Sequence, residues 1–289
     1  MKWAETYKVK VAQRLEKDLF PSAGKRPIED MTAPELLKIL QRVETRGAIE
    51  AAHRILQDCS HIWRYAIASG RAKYNICTDL KGALTPVRNG HYAALTDPKK
   101  VGELMRSING YQGEPIVKCA LRLAPHLFVR PDELRKGLWE ELDIEKAIWI
   151  IPAKRMKIKT LGDHIVPLSR QSLEIFEELR ALTGGSGLLF PSTLTNKRPI
   201  SDNTVNSALR RLGYTKEEMT GHGFRAMART LLDEVLHIRP DYIEHQLAHA
   251  VRDPNGRAYN RTTHLPERKK MMQNWSDYLD KLQIQVMKK

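Results

Sequence analysis

The sequence predicts a mainly α-helical chain with a small β-sheet, on three observations. Apolar residues recur at helical spacing over most of the chain, most plainly between Gly47 and Ser69. One stretch breaks that period. Ala147-Ile148-Trp149-Ile150-Ile151-Pro152 and His164-Ile165-Val166-Pro167-Leu168 are β-rich runs on either side of Gly162-Asp163, the pattern of a hairpin about a glycine-containing turn. The texture also changes near residue 90, where Thr85-Pro86-Val87-Arg88-Asn89-Gly90 has the composition of a linker. A helical domain is therefore expected over 1–90 and a second, α+β domain over 91–289.

The elements follow in order. Thr32 caps a short amphipathic turn over Glu35–Leu40, with Glu35 three residues on as in a capping box. The next helix places Ile49, Ala52, Ile55, Leu56, Cys59, Ile62, Trp63, Ala66 and Ile67 on one face and Arg54, His61 and Arg64 on the other, and Gly70 ends it. Thr96-Asp97-Pro98 opens a fresh helix. Helical stretches are expected at 98–108 and 114–128, then, beyond the hairpin, at 169–182, 202–212, 223–236 and 240–249. The last stretch, 265–283, sets Leu265, Met271, Met272, Trp275, Tyr278, Leu279 and Leu282 at helical spacing.

Composition narrows the function. Of 289 residues 42% are hydrophobic, which supports a packed core and excludes a disordered chain. No apolar run approaches the roughly 20 residues of a membrane helix, and Met1-Lys2-Trp3 does not open a signal peptide, so a cytoplasmic protein is expected. Cys59, Cys77 and Cys119 form no CxxC pair, which excludes a disulfide scaffold and a Cys-type zinc finger. With 48 Lys+Arg against 34 Asp+Glu the net charge is +14, and a partner that is itself a polyanion is expected. Nucleic acid is the first candidate and an acidic membrane surface the second.

Four places could carry chemistry. His222 and Arg225 are three apart at a helix start, so both can reach one anion that the helix N-terminus also favours. A capping histidine beside a surface arginine is the plainer alternative. His249 precedes Tyr259, a tyrosine set among Arg257, Asn260 and Arg261. A phenol is neutral at pH 7, so a nucleophilic role needs neighbouring cations; a surface phenol in a basic loop is the alternative. His245 and His249 have the spacing of a zinc protease, but Gln246 stands where that motif needs Glu, and no metal site is expected. In Arg130-Pro131-Asp132-Glu133-Leu134-Arg135, a helix start accounts for the proline and the acids. Arg130 has the wrong sign for that position unless an anion sits before the helix, and Glu133 could then hold the guanidinium. Lys154, Arg155, Lys157 and Lys159 at the hairpin tip read as a solvated strand end that adds to phosphate attraction.

Taken in order, Arg-Pro-Asp-Glu-Leu, a lysine-bearing hairpin, His-Gly-Phe-Arg, Leu-Ala-His and Tyr-Asn-Arg resemble the tyrosine recombinases, and among them the integrases of phages, prophages and genomic islands. The resemblance covers nearly the whole chain. The stretch from Glu44-Thr45-Arg46 through Trp63-Arg64-Tyr65 to Asn75 looks like that family's helical core-binding domain, and Thr96 onward like its catalytic domain. Trp3-Ala4-Glu5 already looks like the start of the core-binding domain, so the arm-binding domain that often precedes it is not expected within this sequence, either because the natural protein lacks it or because it has been removed.

The resemblance implies a site-specific recombinase that cleaves and rejoins DNA through a 3′-phosphotyrosine. By motif, Arg130 matches the first catalytic arginine and Glu133 its supporting acid. His222 and Arg225 match the His-x-x-Arg pair, His249 the second histidine and Tyr259 the nucleophile. Lys157, after Arg155-Met156, matches the hairpin lysine, although counting back from Pro167 selects Lys159. Asp132 departs from the family's usual glycine. The family's partners would be double-stranded attachment sites, a homotetramer on DNA and a directionality factor, with no metal or cofactor. Arg46, Arg54 and Arg64 are candidates for base readout. The helix at 265–283 is expected to dock either on a neighbouring subunit or on its own domain. Rival readings are a regulator that kept the fold and lost catalysis, a type IB topoisomerase, and a metal-dependent nuclease, for which no acidic cluster is evident.

Overall fold

The computed structural model describes residues 5–87, 92–157, 162–195, 197–249 and 264–285. The chain divides into two compact units, Met1–Gly90 and His91–Lys289, and each is helical at its core. Tyr259 and Lys159 lie outside the described residues.

The first unit contains α1 (Glu5–Asp18), α2 (Phe20–Ala23), α3 (Ala33–Thr45) and α4 (Ile49–Ala68). The Glu35 carboxylate accepts the Thr32 backbone N–H at 3.0 Å and its hydroxyl at 2.9 Å, so the helix begins where the capping residues place it. It runs on to Thr45, well past the short turn expected, because Leu36, Ile39, Leu40 and Val43 continue one buried face. On α4 the buried stripe is Ala52, Ile55, Cys59, Trp63 and Ala66, while Ile62 and Ile67 face solvent. The stripe is narrower than the hydrophobic residues alone suggest. It also holds a carboxylate: buried Asp58 pairs with Arg14 of α1 at 2.7 Å. Burial pushes the Asp58 pKa up, against the lowering pull of Arg14, and the pair ties α1 to α4.

The second unit begins with α5 (Pro98–Asn109) and α6 (Pro115–Leu127), then the short α7 (Pro131–Arg135). An antiparallel sheet follows in the order β1 (Leu142–Asp143), β2 (Ile148–Ile151), β3 (His164–Pro167). The expected hairpin is β2–β3, with Trp149 opposite Val166 and Ile151 opposite His164. The structure adds β1, two residues long and too short to carry a period of its own. The connection between β2 and β3 runs over residues 152–163, and its described part includes a 3₁₀ turn at Ala153–Arg155. The Asp163 carboxylate closes its base by accepting the Ala153 N–H at 2.8 Å.

The remaining helices are α8 (Arg170–Thr183), α9 (Thr204–Arg211), α10 (Gly223–Glu234), α11 (Pro240–Gln246) and α12 (Leu265–Gln285). The helix expected over 240–249 stops at Gln246, and Ala248 takes a left-handed φ of 51°. His249 therefore lies past the helix end rather than on the face of His245. The last helix packs on its own unit: Met271, Met272, Trp275 and Leu279 enter the core that α5, α6 and α10 build. Gly102 of α5 is in contact with that helix, since a Cβ there would lie 2.5 Å from the Leu282 carbonyl oxygen. The Trp275 Nε1 donates to the Pro125 carbonyl at 2.8 Å. Among the described residues no helix is long and apolar enough to cross a membrane.

Candidate active site

Three segments far apart in sequence meet at Arg225. Its helix, α10, begins at Gly223 and buries Phe224, Met227, Ala228, Leu231 and Leu232, which turns the Arg225 guanidinium inward at the helix start. The side chain is buried, and its partners are carbonyls: Nη1 donates to Phe128 at 2.9 Å and Nη2 to Leu247 at 2.7 Å. Phe128 and Ala248 both have left-handed backbones, at the ends of α6 and α11, and these turns aim carbonyls at arginines. Burial and then the second cation, Arg130, lower the Arg225 pKa to about 10, against the raising effect of Glu133 and Glu244. At pH 7 it stays charged.

Arg130 precedes α7, and the sequence's question about its sign is answered by Glu133. That buried carboxylate accepts the Arg130 backbone N–H through Oε2 and Nη1 through Oε1, both at 2.9 Å. Arg130 Nη2 donates to the Ala248 carbonyl at 3.3 Å. One anchoring acid and three backbone carbonyls thus hold two adjacent guanidiniums. Two guanidiniums against one paired carboxylate leave a net positive charge that neutral carbonyls do not cancel, and the site suits an anion with several oxygens.

The histidines stand beside it. Arg225 Nη2 donates to His249 Nε2 at 3.2 Å, so Nδ1 carries the ring proton and faces the Glu244 carboxylate. Burial pulls the Glu244 pKa up, but hydrogen bonds from His249 and Arg229 outweigh it and leave the carboxyl below its usual value. His222 is pushed down to about 4, first by burial and then by Arg225, Arg130, Lys157 and His249, and is neutral at pH 7. The Tyr92 ring lies against it, centroids 4.1 Å apart. Segment 92–95 is held there because the Ala93 carbonyl accepts the Thr220 N–H at 3.2 Å. Gly223 makes this approach possible, since a Cβ there would lie 2.2 Å from that carbonyl oxygen.

Arg130, Glu133, His222, Arg225 and His249 are thus brought together, and Lys157 is close enough to act on the His222 pKa. Arg46, Arg54 and Arg64 belong to the other unit, each with a partner of its own. Arg46 pairs with Asp18 at 2.6 Å and Arg54 with Glu50 at 3.3 Å, while Arg64 reaches the Ser60 carbonyl and His61. Ten residues apart on α4, Arg54 and Arg64 are about 15 Å apart along the axis and about 80° apart around it. Sequence reasoning missed Glu244 and Tyr92. Glu244, five residues before His249, could have been suspected only by foreseeing that α11 ends early. Nothing in the sequence around Tyr92 signals His222. The three cysteines are buried, and burial pushes their thiols up, Cys77 to about 12, so none is a ready nucleophile. Among the described residues no cluster of His, Cys, Asp and Glu could hold a metal ion.

Known proteins share this arrangement of sequence and fold. Residues 1–83 match the phage integrase central domain and residues 95–264 the phage integrase family. The integrase of Enterobacteria phage P4 is 38% identical over 291 aligned positions, covering 96% of this chain and 66% of that protein. Prophage integrase IntZ of Escherichia coli K12 is 35% identical, covering 97% and 68%. The chain spans about two thirds of the length of these curated relatives. In structure it resembles a lambda integrase dimer bound to a COC′ core site, with a TM-score of 0.67 at 18% identity over 86% of this chain and 90% of that one. It also resembles the Tn1549 transposon integrase in complex with circular intermediate DNA, with a TM-score of 0.64 at 13% identity over 86% and 88%. The mainly α fold with its small sheet is that of these integrases, and the chain belongs to the phage integrase family.

Proposed function

We propose that the chain is a site-specific DNA recombinase that cleaves and rejoins strands through a tyrosine–phosphate link, integrating or excising a mobile element. The observation that carries this reading is the pair of adjacent guanidiniums, Arg130 and Arg225, fixed by one carboxylate, Glu133, and by carbonyls, with net positive charge left over. A phosphodiester gathering negative charge on its non-bridging oxygens is the substrate such a site stabilises. Removing either arginine's contact should cost about 3–4 kcal/mol in barrier.

In this reaction the Tyr259 oxygen attacks phosphorus, the bond to the 5′-oxygen breaks, and that oxygen takes a proton from Lys157. Neutral His222 is suited to accept the tyrosine proton, and His249, oriented by Glu244, keeps Nε2 toward the arginine and the reacting phosphate. A 5′-hydroxyl of the partner duplex then reverses the attack. The ester conserves the bond energy, so no nucleotide cofactor is required. The partners are double-stranded attachment sites and other copies of the chain, four on a synapsed pair of duplexes. A directionality factor would bias integration against excision. The first unit, with Arg46, Arg54 and Arg64 exposed, is the proposed core-binding domain and the second the catalytic domain. Action on bacterial DNA places the protein in the cytoplasm.

The test is relaxation of supercoiled plasmid in EDTA, wild type beside Tyr259→Phe, with a denaturing gel for protein-linked DNA. Wild type is expected to relax and link DNA while the Phe variant does neither. Equal activity in both removes Tyr259 as the nucleophile. Binding without cleavage by either protein, on DNA carrying the cognate site, favours a regulator of recombinase fold.

A further inference from the structure

We propose that Arg155, clamped by Glu141, is a positioning residue for Lys157, fixing the base of the β2–β3 loop to α7, the helix that Arg130 precedes and Glu133 belongs to. This rests on the reading above, in which Lys157 supplies the leaving-group proton. In the sequence Arg155 belongs to a basic run that reads as a solvated strand end. Lys154 and Lys157 are indeed exposed, but the Arg155 side chain is only 13% exposed and every arm of its guanidinium is engaged. Its Nε donates to Glu141 Oε1 at 2.8 Å, its Nη2 to Glu141 Oε2 at 2.5 Å, and its Nη1 to the Glu133 carbonyl at 3.2 Å. Glu141 is itself buried and fixed, accepting from Trp149 Nε1 at 3.0 Å and from the Leu138 N–H at 3.2 Å.

The consequence is geometric. Glu133 is the residue whose carboxylate holds Arg130, so the Arg155 guanidinium joins the loop to the arginine's own support. On one side Ala153 is held by Asp163, and on the other Met156 is buried in the core. Lys157 is the first exposed residue after this fixed stretch, and its charge is felt at His222, whose proton affinity it lowers. A buried ion pair is a poor source of stability compared with apolar packing, whereas a bidentate arginine sets direction. A general acid must lie within hydrogen-bond reach of the leaving oxygen, so the direction of this loop governs the step.

The experiment compares two duplexes carrying the chain's cleavage site, located by sequencing the DNA ends that the protein holds covalently. One duplex has the natural 5′-oxygen at the scissile phosphate and the other a bridging sulfur there. The P–S bond breaks to give a thiolate that needs no proton, because a thiol is far more acidic than an alcohol. Arg155→Lys keeps the charge but cannot span Glu141 and Glu133 together. On the oxygen duplex it is expected to cleave about 100-fold slower, the effect of misplacing a catalytic group by about 1 Å. On the sulfur duplex both Arg155→Lys and Lys157→Ala are expected to return to the wild-type rate. Equal slowing of Arg155→Lys on both duplexes, or no slowing on either, overturns the proposal. Failure of the sulfur duplex to rescue Lys157→Ala overturns the general-acid assignment and this proposal with it, whereas rescue of Lys157→Ala alone overturns only the role of Arg155. Melting curves accompany each variant, and Glu141→Gln repeats the test from the other side of the pair should Arg155→Lys fail to fold.

Discussion

Arg225 is a charge that the fold has taken out of water and given to carbonyl oxygens, with a like charge beside it. Such a group is costly in the free protein and relieved when an anion arrives, which makes binding and pre-organisation parts of one arrangement. Gly223 is the residue-scale counterpart on the other side of the site. A methyl group there meets the Ala93 carbonyl oxygen at 2.2 Å, backbone against backbone, with no flexible side chain to yield. Gly223→Ala is therefore expected to destabilise the second unit by about 1–3 kcal/mol, the range of overpacking, and to separate Tyr92 from His222. Urea unfolding gives the first effect. The second should appear as a rise in the His222 pKa from about 4, read by NMR titration, because part of its burial is lost.

Among the elements, α12 has the clearest structural duty. Trp275 is fully buried, stands edge-on to Phe128 and donates to Pro125, and Ser276 joins His126 and Ser169 beneath it. At the start of the helix the buried Arg268 donates to the Ile165 carbonyl of β3 and to the Gln246 side chain at the end of α11. The helix thus locks the strand of the hairpin and the turn that presents His249 onto one core. Trp275→Ala is expected to cost about 3–5 kcal/mol, measured as a lowered denaturation midpoint. Of the two dockings that the sequence allowed for this helix, the single chain adopts the one on its own unit.

For the whole molecule, two histidines set how stability depends on pH. His126 is buried and desolvation lowers its pKa from 6.5 to about 4; His222 falls to about 4 as well. Both groups bind more protons unfolded than folded between those values, so stability is complete above pH 6.5 and falls as pH drops toward 4. His126 alone should account for about 3 kcal/mol across that window. The contribution of His222 is smaller, because it is only half buried and solvent screens it. Melting temperature followed from pH 7 to 4 is expected to decline most steeply below 6.5, and a flat profile would contradict the burial of both rings. The charge of +14 acts at the same scale. Affinity for duplex DNA is expected to fall with added salt, log K against log salt having a slope of about −0.9 per phosphate neutralised, and a titration from low to high salt measures it.

The sequence by itself was enough for the fold class, most of the helices, the β2–β3 pairing and the gathering of Arg130, Glu133, His222 and His249 at Arg225, because apolar period, capping residues and motif order are local or ordered along the chain. The capping box at Thr32 and the role of Glu133 beside Arg130 belong to that group, since both are contacts between residues three apart. Tertiary structure alone decided the rest. Arg155 in a basic run reads as a solvated charge and nothing in the sequence marks Asp58 or Glu244, yet each is committed to a partner. Arg14 and Glu141 are distant in sequence, and His249 meets Glu244 only because α11 ends at Gln246 and the chain turns through Ala248. Periodicity reports which face of an element is buried, but not which charge waits on the element it meets. That depends on how helices and strands pack, and here packing turned surface-like charges into the frame of the site.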